Sequence, residues 1–316
     1  MSALAPGPDP VVARVRRALL RRLVAAVVLI ALLFGVSVLT PLGQLFGDLV
    51  LTGRPTDDPD RIAAAKDVLG IVSVTSLAVS ALAIAGIAAL RGRWWLAGAM
   101  LIAIGGANVT TQVLKRAVFW RPAAETDLGV GVLNSYPSGH ATVIAVLALA
   151  LVAVVPARLR PLAVLAGAAR FPLVGSETIT EGWHRAEDVV GAGLVALAWV
   201  AGMALAVVRL RGADVLGADA TRGHLGAGRL LLAAALAVLT LGAFVWGEVL
   251  ATGDELLSPL DAWTPAATRL YLGALLVTLA TAGVVVVTLW RSIRPVDVEA
   301  VRGPTDPGTP RPATSR

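Results

Sequence analysis

Cysteine is absent from the 316-residue chain, and charged and aromatic residues are scarce, at 15% and 5%. The lack of cysteine excludes a disulfide framework, a thiolate metal site and a cysteine nucleophile. The low charge excludes an ordinary soluble domain, in which about a quarter of the residues are charged. The chain is 57% hydrophobic with a mean hydropathy of +0.78, so it is not a disordered chain either. This composition indicates a polytopic membrane protein.

Long apolar runs recur along the whole chain. A membrane-spanning helix needs roughly 20 predominantly apolar residues. Eight stretches approach or exceed that length, at residues 23–42, 68–90, 94–114, 138–155, 161–178, 189–208, 230–250 and 268–290. We therefore predict an all-α integral membrane protein with eight transmembrane helices.

The distribution of basic residues predicts the orientation of these helices. If the N-terminus is cytoplasmic, the inner pieces hold 18 Lys and Arg against 6 acids, and the outer pieces hold 7 against 13. The positive-inside rule expects this asymmetry, and removing any one span would break it for everything downstream. We therefore expect a multi-pass protein of the cell membrane with both termini in the cytoplasm. The net charge of +6 then reports topology and not nucleic-acid binding.

The segments outside the spans are more polar. Residues 1–22 are expected to form a basic cytoplasmic tail before an uncleaved first span, because no small-x-small cleavage site follows it. Residues 209–229 are expected to form a cytoplasmic loop, and 291–316, rich in Pro, Gly, Thr and Arg, a disordered cytoplasmic tail. The outer loop 44–67 is expected to carry at most a short surface helix and no chemistry.

Ionisable residues gather in three loops on the predicted outer side. Lys115 and Arg121 follow the third span, His140 ends a Pro-Ser-Gly-His sequence before the fourth, and His184 and Asp188 precede the sixth. Ionisable residues near a membrane-spanning segment are functional candidates by default. We therefore expect these three loops to form one site at the outer interface.

The residue types in these loops suit a phosphate ligand. Lys115 and Arg121 can neutralise phosphoryl oxygens, the arginine with a bidentate fork. Ser138 begins a helix whose N-terminal N–H groups bind anions, and Gly139 permits close approach of the backbone. Both features predict a binding site for a phosphoryl group.

Two histidines in these loops suit acid–base and nucleophilic chemistry. His184 and Asp188 are four residues apart and share a face on a helix. The carboxylate can keep one imidazole nitrogen protonated and leave the other available for attack. His140 is then available as a general acid and base.

The three loops resemble the type 2 phosphatidic acid phosphatase superfamily, whose signature is Lys-x6-Arg-Pro, Pro-Ser-Gly-His and Ser-Arg-x5-His-x3-Asp. The resemblance covers a six-span core at residues 23–208 and leaves residues 230–290 as two additional transmembrane helices. It implies that His184 forms a phosphohistidine and that Asp188 orients it. It also implies that His140 protonates the leaving oxygen and then activates water. Lys115, Arg121, Ser138 and the Gly139 backbone would hold the phosphoryl group, with no metal ion and no cofactor.

The chain departs from this signature in two places. Five residues, and not six, separate Lys115 from Arg121, which an irregular turn before Arg121 could absorb. In the third motif Glu177 stands at the serine position and Thr178 at the arginine position. Thr178 is expected to donate a hydrogen bond to the phosphoryl group without supplying charge. Loss of one cation from such a site can cost several kcal/mol at the transition state.

Neighbouring arginines offer no obvious replacement for the missing one. Arg170 is eight residues before Thr178, or roughly 12 Å along a helix. Arg185 follows His184 directly and points off its helical face, so we expect it to have no part in the chemistry.

These features predict a metal-independent phosphatase that acts on a lipid phosphate or diphosphate, of polyprenyl or phosphatidate type, at the outer leaflet. Membrane lipids are its expected surroundings, and nucleic acid is not an expected partner. Two alternatives remain open. One is a lipid phosphotransferase, and the other is a non-catalytic binder or transporter of lipid phosphates with a degenerate site.

Overall fold

The computed structural model describes residues 10–56, 58–122, 134–211 and 265–299, and no strand occurs among them. The predicted seventh span, 230–250, lies outside these residues. The nine α-helices of the described ranges are α1 (Pro10–Ser37), α2 (Pro41–Thr52), α3 (Pro59–Gly70), α4 (Val74–Leu90), α5 (Trp94–Val113), α6 (Gly139–Val154), α7 (Arg160–Thr180), α8 (Ala186–Arg211) and α9 (Pro265–Glu299).

Five helical segments are long and apolar enough to cross a membrane: Val12–Ser37, Trp94–Val118, Ala157–Thr180, Ala186–Arg211 and Ala267–Ile293. A sixth is counted if α3 and α4 form one bent span. Helix α6 is apolar but has only 16 residues, or about 24 Å of helix, which is shorter than a typical hydrocarbon core. The prediction of an all-helical membrane protein is confirmed, whereas the described residues supply five or six such spans and not eight.

The span predicted at 68–90 is not one straight helix. Helix α3 ends at Gly70, α4 begins at Val74, and the two are bent by 49°. Ser73 starts α4 with a capping box: its hydroxyl accepts from the Ser76 amide at 3.1 Å, and the Ser76 hydroxyl accepts from the Ser73 amide at 2.9 Å. These reciprocal bonds satisfy the amides of a helix start. The break is not visible in the hydropathy of the sequence, because the hydroxyls that cap the helix lie within an apolar stretch.

The outer loop 44–67 is more ordered and more buried than predicted. Thr40 caps α2, and Asp48, Leu49, Val50 and Leu51 on that helix are buried. Helix α2 packs against α9, and α3 packs against α7. Apolar residues make up much of α2, so burying it removes apolar surface from water. The expectation of a short surface helix therefore fits α3, most of which is exposed, but not α2.

The terminal helices extend beyond their predicted limits. Helix α1 begins at Pro10, inside the predicted N-terminal tail, and ends at Ser37 before the short turn to α2. Helix α9 continues to Glu299, so its last residues are helical in a segment predicted to be disordered. The two extensions have the same cause. A helix that is already packed in the bundle is extended through polar residues at a low cost in free energy.

Helix α8 lies at the centre of the described bundle, with α1, α5, α6 and α9 around it. At one end of the bundle the Arg211 guanidinium lies 4.1 Å from the centre of the Trp95 ring, and Arg91 donates to the Val154 carbonyl. Arg211 lies at the end of α8 and Trp95 at the start of α5. Arg91 lies at the end of α4 and Val154 at the end of α6. The opposite ends of the same helices carry the candidate site residues.

Candidate active site

His184 lies in a tight turn between α7 and α8. The carbonyl of Thr178 accepts from the backbone amides of Trp183 at 3.0 Å and His184 at 3.2 Å. Gly182 takes a φ of +74°, a left-handed conformation that favours glycine. A Cβ atom there would also lie 2.7 Å from Cζ of Arg54, whose guanidinium covers the turn. The turn therefore needs glycine for both its backbone and its space.

The side chain of Asp188 receives three donors on one oxygen. Its Oδ2 accepts from His184 Nδ1 at 3.1 Å, from the Ser135 hydroxyl at 2.6 Å and from the Arg185 amide at 2.9 Å. Asp188 is fully buried and His184 is 7% exposed. Because a carboxylate only accepts, the proton of the shared bond is assigned to Nδ1, which leaves Nε2 of His184 with its lone pair.

Asp188 also connects the second motif to the third. Its backbone carbonyl accepts from the Ser138 amide at 2.9 Å. Ser138 is the buried N-cap of α6, and its hydroxyl accepts from the Ala141 amide at 3.4 Å. The hydroxyl of Thr142 donates to the Ser138 carbonyl at 2.7 Å. These bonds hold the start of α6, and with it His140, beside the turn that carries His184.

The loop before α6 is anchored by Tyr136. Its ring packs against Phe34 and Phe119, and it fills the space over Gly191, where a Cβ atom would lie 2.5 Å from the ring. The hydroxyl donates to the Ile30 carbonyl at 3.0 Å, and burial raises the pKa of this phenol. Tyr136 therefore remains a neutral donor that fixes the loop on α1 and α8.

A cavity of about 450 Å³ brings four of the predicted residues together. Lys115, Gly139, His140 and His184 all line it, and the His140 ring lies 5.4 Å from the ring of Trp183. The remaining walls come from the start of α4 and from polar residues of α5. The cavity thus presents an imidazole held by Asp188, a second imidazole, a lysine and the N-terminus of α6.

The spacing between Lys115 and Arg121 follows from an irregular turn. Residues Leu114–Val118 form a π-helical turn, and the chain is extended at Phe119. The Asn134 side chain donates to the carbonyls of Lys115 and Phe119 at 3.1 and 3.0 Å. No regular helix joins Lys115 to Arg121. The spacing of five residues, against six in the family signature, therefore does not define how the two side chains are rotated relative to each other.

Arg121 is buried but is not among the residues that line the cavity in the described part of the chain. Its Nη2 lies 3.5 Å from Oε1 of Glu187. Its Nε and Nη1 make no hydrogen bond to any described residue. The structure therefore separates the two predicted phosphate-binding cations: Lys115 faces the cavity, and Arg121 lies against Glu187.

Thr178 is fully buried, and its hydroxyl donates to the Gly175 carbonyl at 2.7 Å. It does not appear in the described lining of the cavity. The adjacent Glu177 carboxylate is paired with Arg61 of α3 at 2.6 Å, and Arg61 also donates to the Thr180 hydroxyl at 3.3 Å. The charge of Glu177 is therefore neutralised by Arg61, which belongs to the outer loop 44–67 for which no chemistry is expected.

Arg185, for which no part in the chemistry is expected, forms a buried ion pair. Its Nε and Nη2 donate to Oδ1 of Asp48 at 2.9 and 2.6 Å. A Cβ atom on Gly47 would lie 2.6 Å from Cδ of Arg185, so α2 approaches α8 closely at this point. The pair fixes α2 against the start of α8, directly after His184.

Sequence reasoning missed Ser135, Asp48 and Arg61. Asp48 carried a usable signal, because a lone acid in an apolar helix requires a partner. Ser135 and Arg61 carried none that separates them from other polar loop residues. Among the described residues, no three His, Cys, Asp or Glu side chains form a group that could hold a metal ion.

Comparison with known proteins gives one match. No curated protein and no solved structure matches the chain. Residues 92–211 match the family model described as the PAP2 superfamily. The matched segment contains α5 to α8, with Lys115, His140, His184 and Asp188. Over the helices that carry the site, the chain is therefore similar to the PAP2 superfamily.

Proposed function

We propose that this protein is an integral membrane phosphatase that hydrolyses a lipid phosphate or diphosphate through a phosphohistidine, without a metal ion. The match of residues 92–211 to the PAP2 superfamily supports phosphatase-type chemistry, and the apolar helices support a membrane location. The observation that carries the proposal is the His184–Asp188 pair, which faces one cavity together with His140 and Lys115.

In the first step, Nε2 of His184 attacks phosphorus. The P–N bond forms as the bond from phosphorus to the leaving oxygen breaks, and His140 gives its proton to that oxygen. Asp188 stabilises the positive imidazole, because its Oδ2 already accepts the Nδ1 proton. Lys115 and the amides at the start of α6 balance the charge on the phosphoryl oxygens.

In the second step, water replaces His184 on phosphorus. His140, now neutral, takes a proton from the attacking water, the P–O bond forms and the P–N bond breaks. His184 returns to its neutral form with the proton on Nδ1, and inorganic phosphate leaves. The burial of His184 and Asp188 supports this step, since electrostatic interactions are stronger where water is scarce.

The position of the site relative to the apolar helices favours a lipid substrate of polyprenyl or phosphatidate type. The cavity lies near the ends of α5, α6 and α8, so a phosphate there has spanning helices beside it for an apolar tail. The basic residues predicted to be cytoplasmic lie at the other end of these helices. We infer that the substrate is taken from the outer leaflet.

Phosphate release from a panel of lipid phosphates and diphosphates by purified protein tests the proposal. Wild type should release phosphate in the presence of a chelator, and His184→Ala should not. His224→Ala is the matched control, because the chain has three histidines and this one belongs to a predicted cytoplasmic loop. Acid-quenched protein should contain an acid-labile phosphoryl group that His184→Ala lacks.

A binder or transporter of lipid phosphates is the second candidate, because Thr178 supplies neither charge nor a hydroxyl to the cavity. That function predicts binding of the same lipids without phosphate release and without a phosphorylated histidine. Absence of turnover across the panel, with binding retained, would replace the enzyme proposal by this one.

A further inference from the structure

Helix α5 carries a polar face into the cavity. Asn108 and Gln112 both line it, and their spacing of four residues places them on one side of the helix, while Lys115 in the following π-helical turn lines the same cavity. Asn108 and Gln112 belong to the apolar segment Trp94–Val118, which is long enough to span a membrane. Amide side chains in such a segment are costly against lipid and are retained where they meet polar partners.

The two amides lie at different depths. Nε2 of Gln112 is 3.4 Å from the position that a Cβ of Gly139 would take, so this amide lies beside the first turn of α6. Asn108 lies one turn further from the His184 end, and its Nδ2 donates to the Ile104 carbonyl at 2.8 Å. Gln112 is exposed, and its side chain makes no hydrogen bond to any other described residue.

The cavity is longer than a single phosphoryl group requires. From Lys115 to Asn108 the helix rises about 10 Å, and Leu77 and Val143 also line the cavity. If the phosphoryl group is held by Lys115, His184 and the start of α6, the remaining space belongs to the group that departs. His140 protonates the departing oxygen in the proposed mechanism and lines the same cavity.

We propose that Gln112 and Asn108 form a leaving-group subsite that recognises oxygen acceptors close to the bridging oxygen. Such acceptors occur in the second phosphoryl group of a diphosphate and in the ester carbonyls of a phosphatidate. A plain prenyl or alkyl monophosphate has none in its leaving group. The subsite rests on the proposed phosphatase function and makes the enzyme selective for acceptor-bearing leaving groups.

Two substrate pairs test the subsite. The first is a prenyl diphosphate and the prenyl monophosphate of the same chain length, and the second is a phosphatidate and a long-chain alkyl phosphate. Gln112→Leu should lower the ratio of kcat/KM values within at least one pair by about tenfold, the effect of losing a hydrogen bond to a charged or strongly polar group. Asn108→Leu should lower the same ratio, and the affected pair identifies the source of the acceptors.

Val109→Leu is the matched control, because Val109 is adjacent on α5, is exposed and is not part of the described lining. It should leave both ratios unchanged. An equal loss on both members of each pair in Gln112→Leu would overturn the subsite, since it would place the amide on the transferring phosphoryl group. Unchanged ratios would overturn it as well.

The subsite and the phosphatase proposal can fail separately. If wild type releases no phosphate from any of the four compounds, the phosphatase proposal fails, and dissociation constants for the same pairs replace the kinetic ratios. Gln112→Leu should then weaken binding of the acceptor-bearing member selectively. Equal affinities of wild type and Gln112→Leu for all four compounds would overturn the subsite itself.

Discussion

The hydroxyl of Ser135 donates to Oδ2 of Asp188 at 2.6 Å, and it shares that oxygen with Nδ1 of His184. Ser135 lies three residues before the N-cap of α6, whereas Asp188 lies in the first turn of α8. The loop that precedes His140 thus positions Oδ2 of Asp188, and the same oxygen orients His184.

Replacement of Ser135 by alanine should lower kcat about tenfold with little change in KM, because the lost bond positions Asp188 and not the substrate. Ser135→Thr retains the hydroxyl and should recover most of the activity. Steady-state kinetics of the three proteins measure this. A rise in KM at constant kcat would instead assign Ser135 to substrate binding.

Replacement of Asp188 by asparagine should lower kcat by about 10⁴, the loss found when the analogous carboxylate is replaced in a Ser-His-Asp triad. The asparagine amide can favour the other imidazole tautomer, in which Nε2 carries the proton and cannot attack. The trapped phosphoryl-enzyme should fall in parallel. Substantial phosphoryl-enzyme in Asp188→Asn would show that the carboxylate acts only after the first step.

Replacement of Asp48 by asparagine should destabilise the protein by about 3–5 kcal/mol, because it leaves the buried Arg185 guanidinium without its carboxylate. Thermal unfolding in detergent measures the loss. The double variant Asp48→Leu with Arg185→Met should recover much of the lost stability, since it removes both charges. If Asp48→Asn and the wild type unfold at the same temperature, the ion pair does not hold α2 to α8.

Introduction of the family arginine at position 178 should lower stability and should not raise turnover. Thr178 is fully buried, and a longer side chain there overpacks the core by about 1–3 kcal/mol, before the cost of an unpaired charge. Thr178→Ser retains the bond to Gly175 and serves as the control. A rise in kcat in Thr178→Arg would show that the new guanidinium reaches the phosphoryl group.

Cysteine labelling tests the orientation, since the natural chain contains no cysteine. Ala64→Cys, on exposed α3, should react with an impermeant thiol reagent on intact cells. Arg158→Cys, exposed between α6 and α7, should react only after the membrane is permeabilised. The opposite pattern would place the cavity on the cytoplasmic side.

Some helix boundaries were predictable to within a few residues and others were not. The helix predicted at 94–114 is observed as Trp94–Val113, and that predicted at 161–178 as Arg160–Thr180. The span predicted at 68–90 is broken at Ser73, where two hydroxyls close a capping box inside an apolar stretch. Hydropathy is averaged over a window of residues, so it does not detect two side chains that hydrogen-bond to backbone amides and start a new helix.

The same contrast applies to the site. His184 and Asp188 are paired, but His184 lies in the turn before α8, so the pair forms between a turn and a helix and not along one helical face. The distance of Arg121 from the cavity does not follow from its spacing to Lys115, because a π-helical turn and an extended residue intervene. Glu177 stands at the serine position of the third motif, and its charge is balanced by Arg61, which lies 116 residues earlier in the chain.

By itself, the sequence determined that the chain is helical and membrane-embedded, that its motif resembles a phosphatase and that His184 and Asp188 are only four residues apart. Each of these is a property of composition or of residues within a few turns of one another. Only the tertiary structure decided that Ser135 joins Asp188, that Asp48 and Arg61 support the turn of His184, and that Gln112 faces the cavity. Such contacts depend on which helices pack together. A buried polar group requires a hydrogen-bond partner, and packing brings that partner from a distant part of the chain.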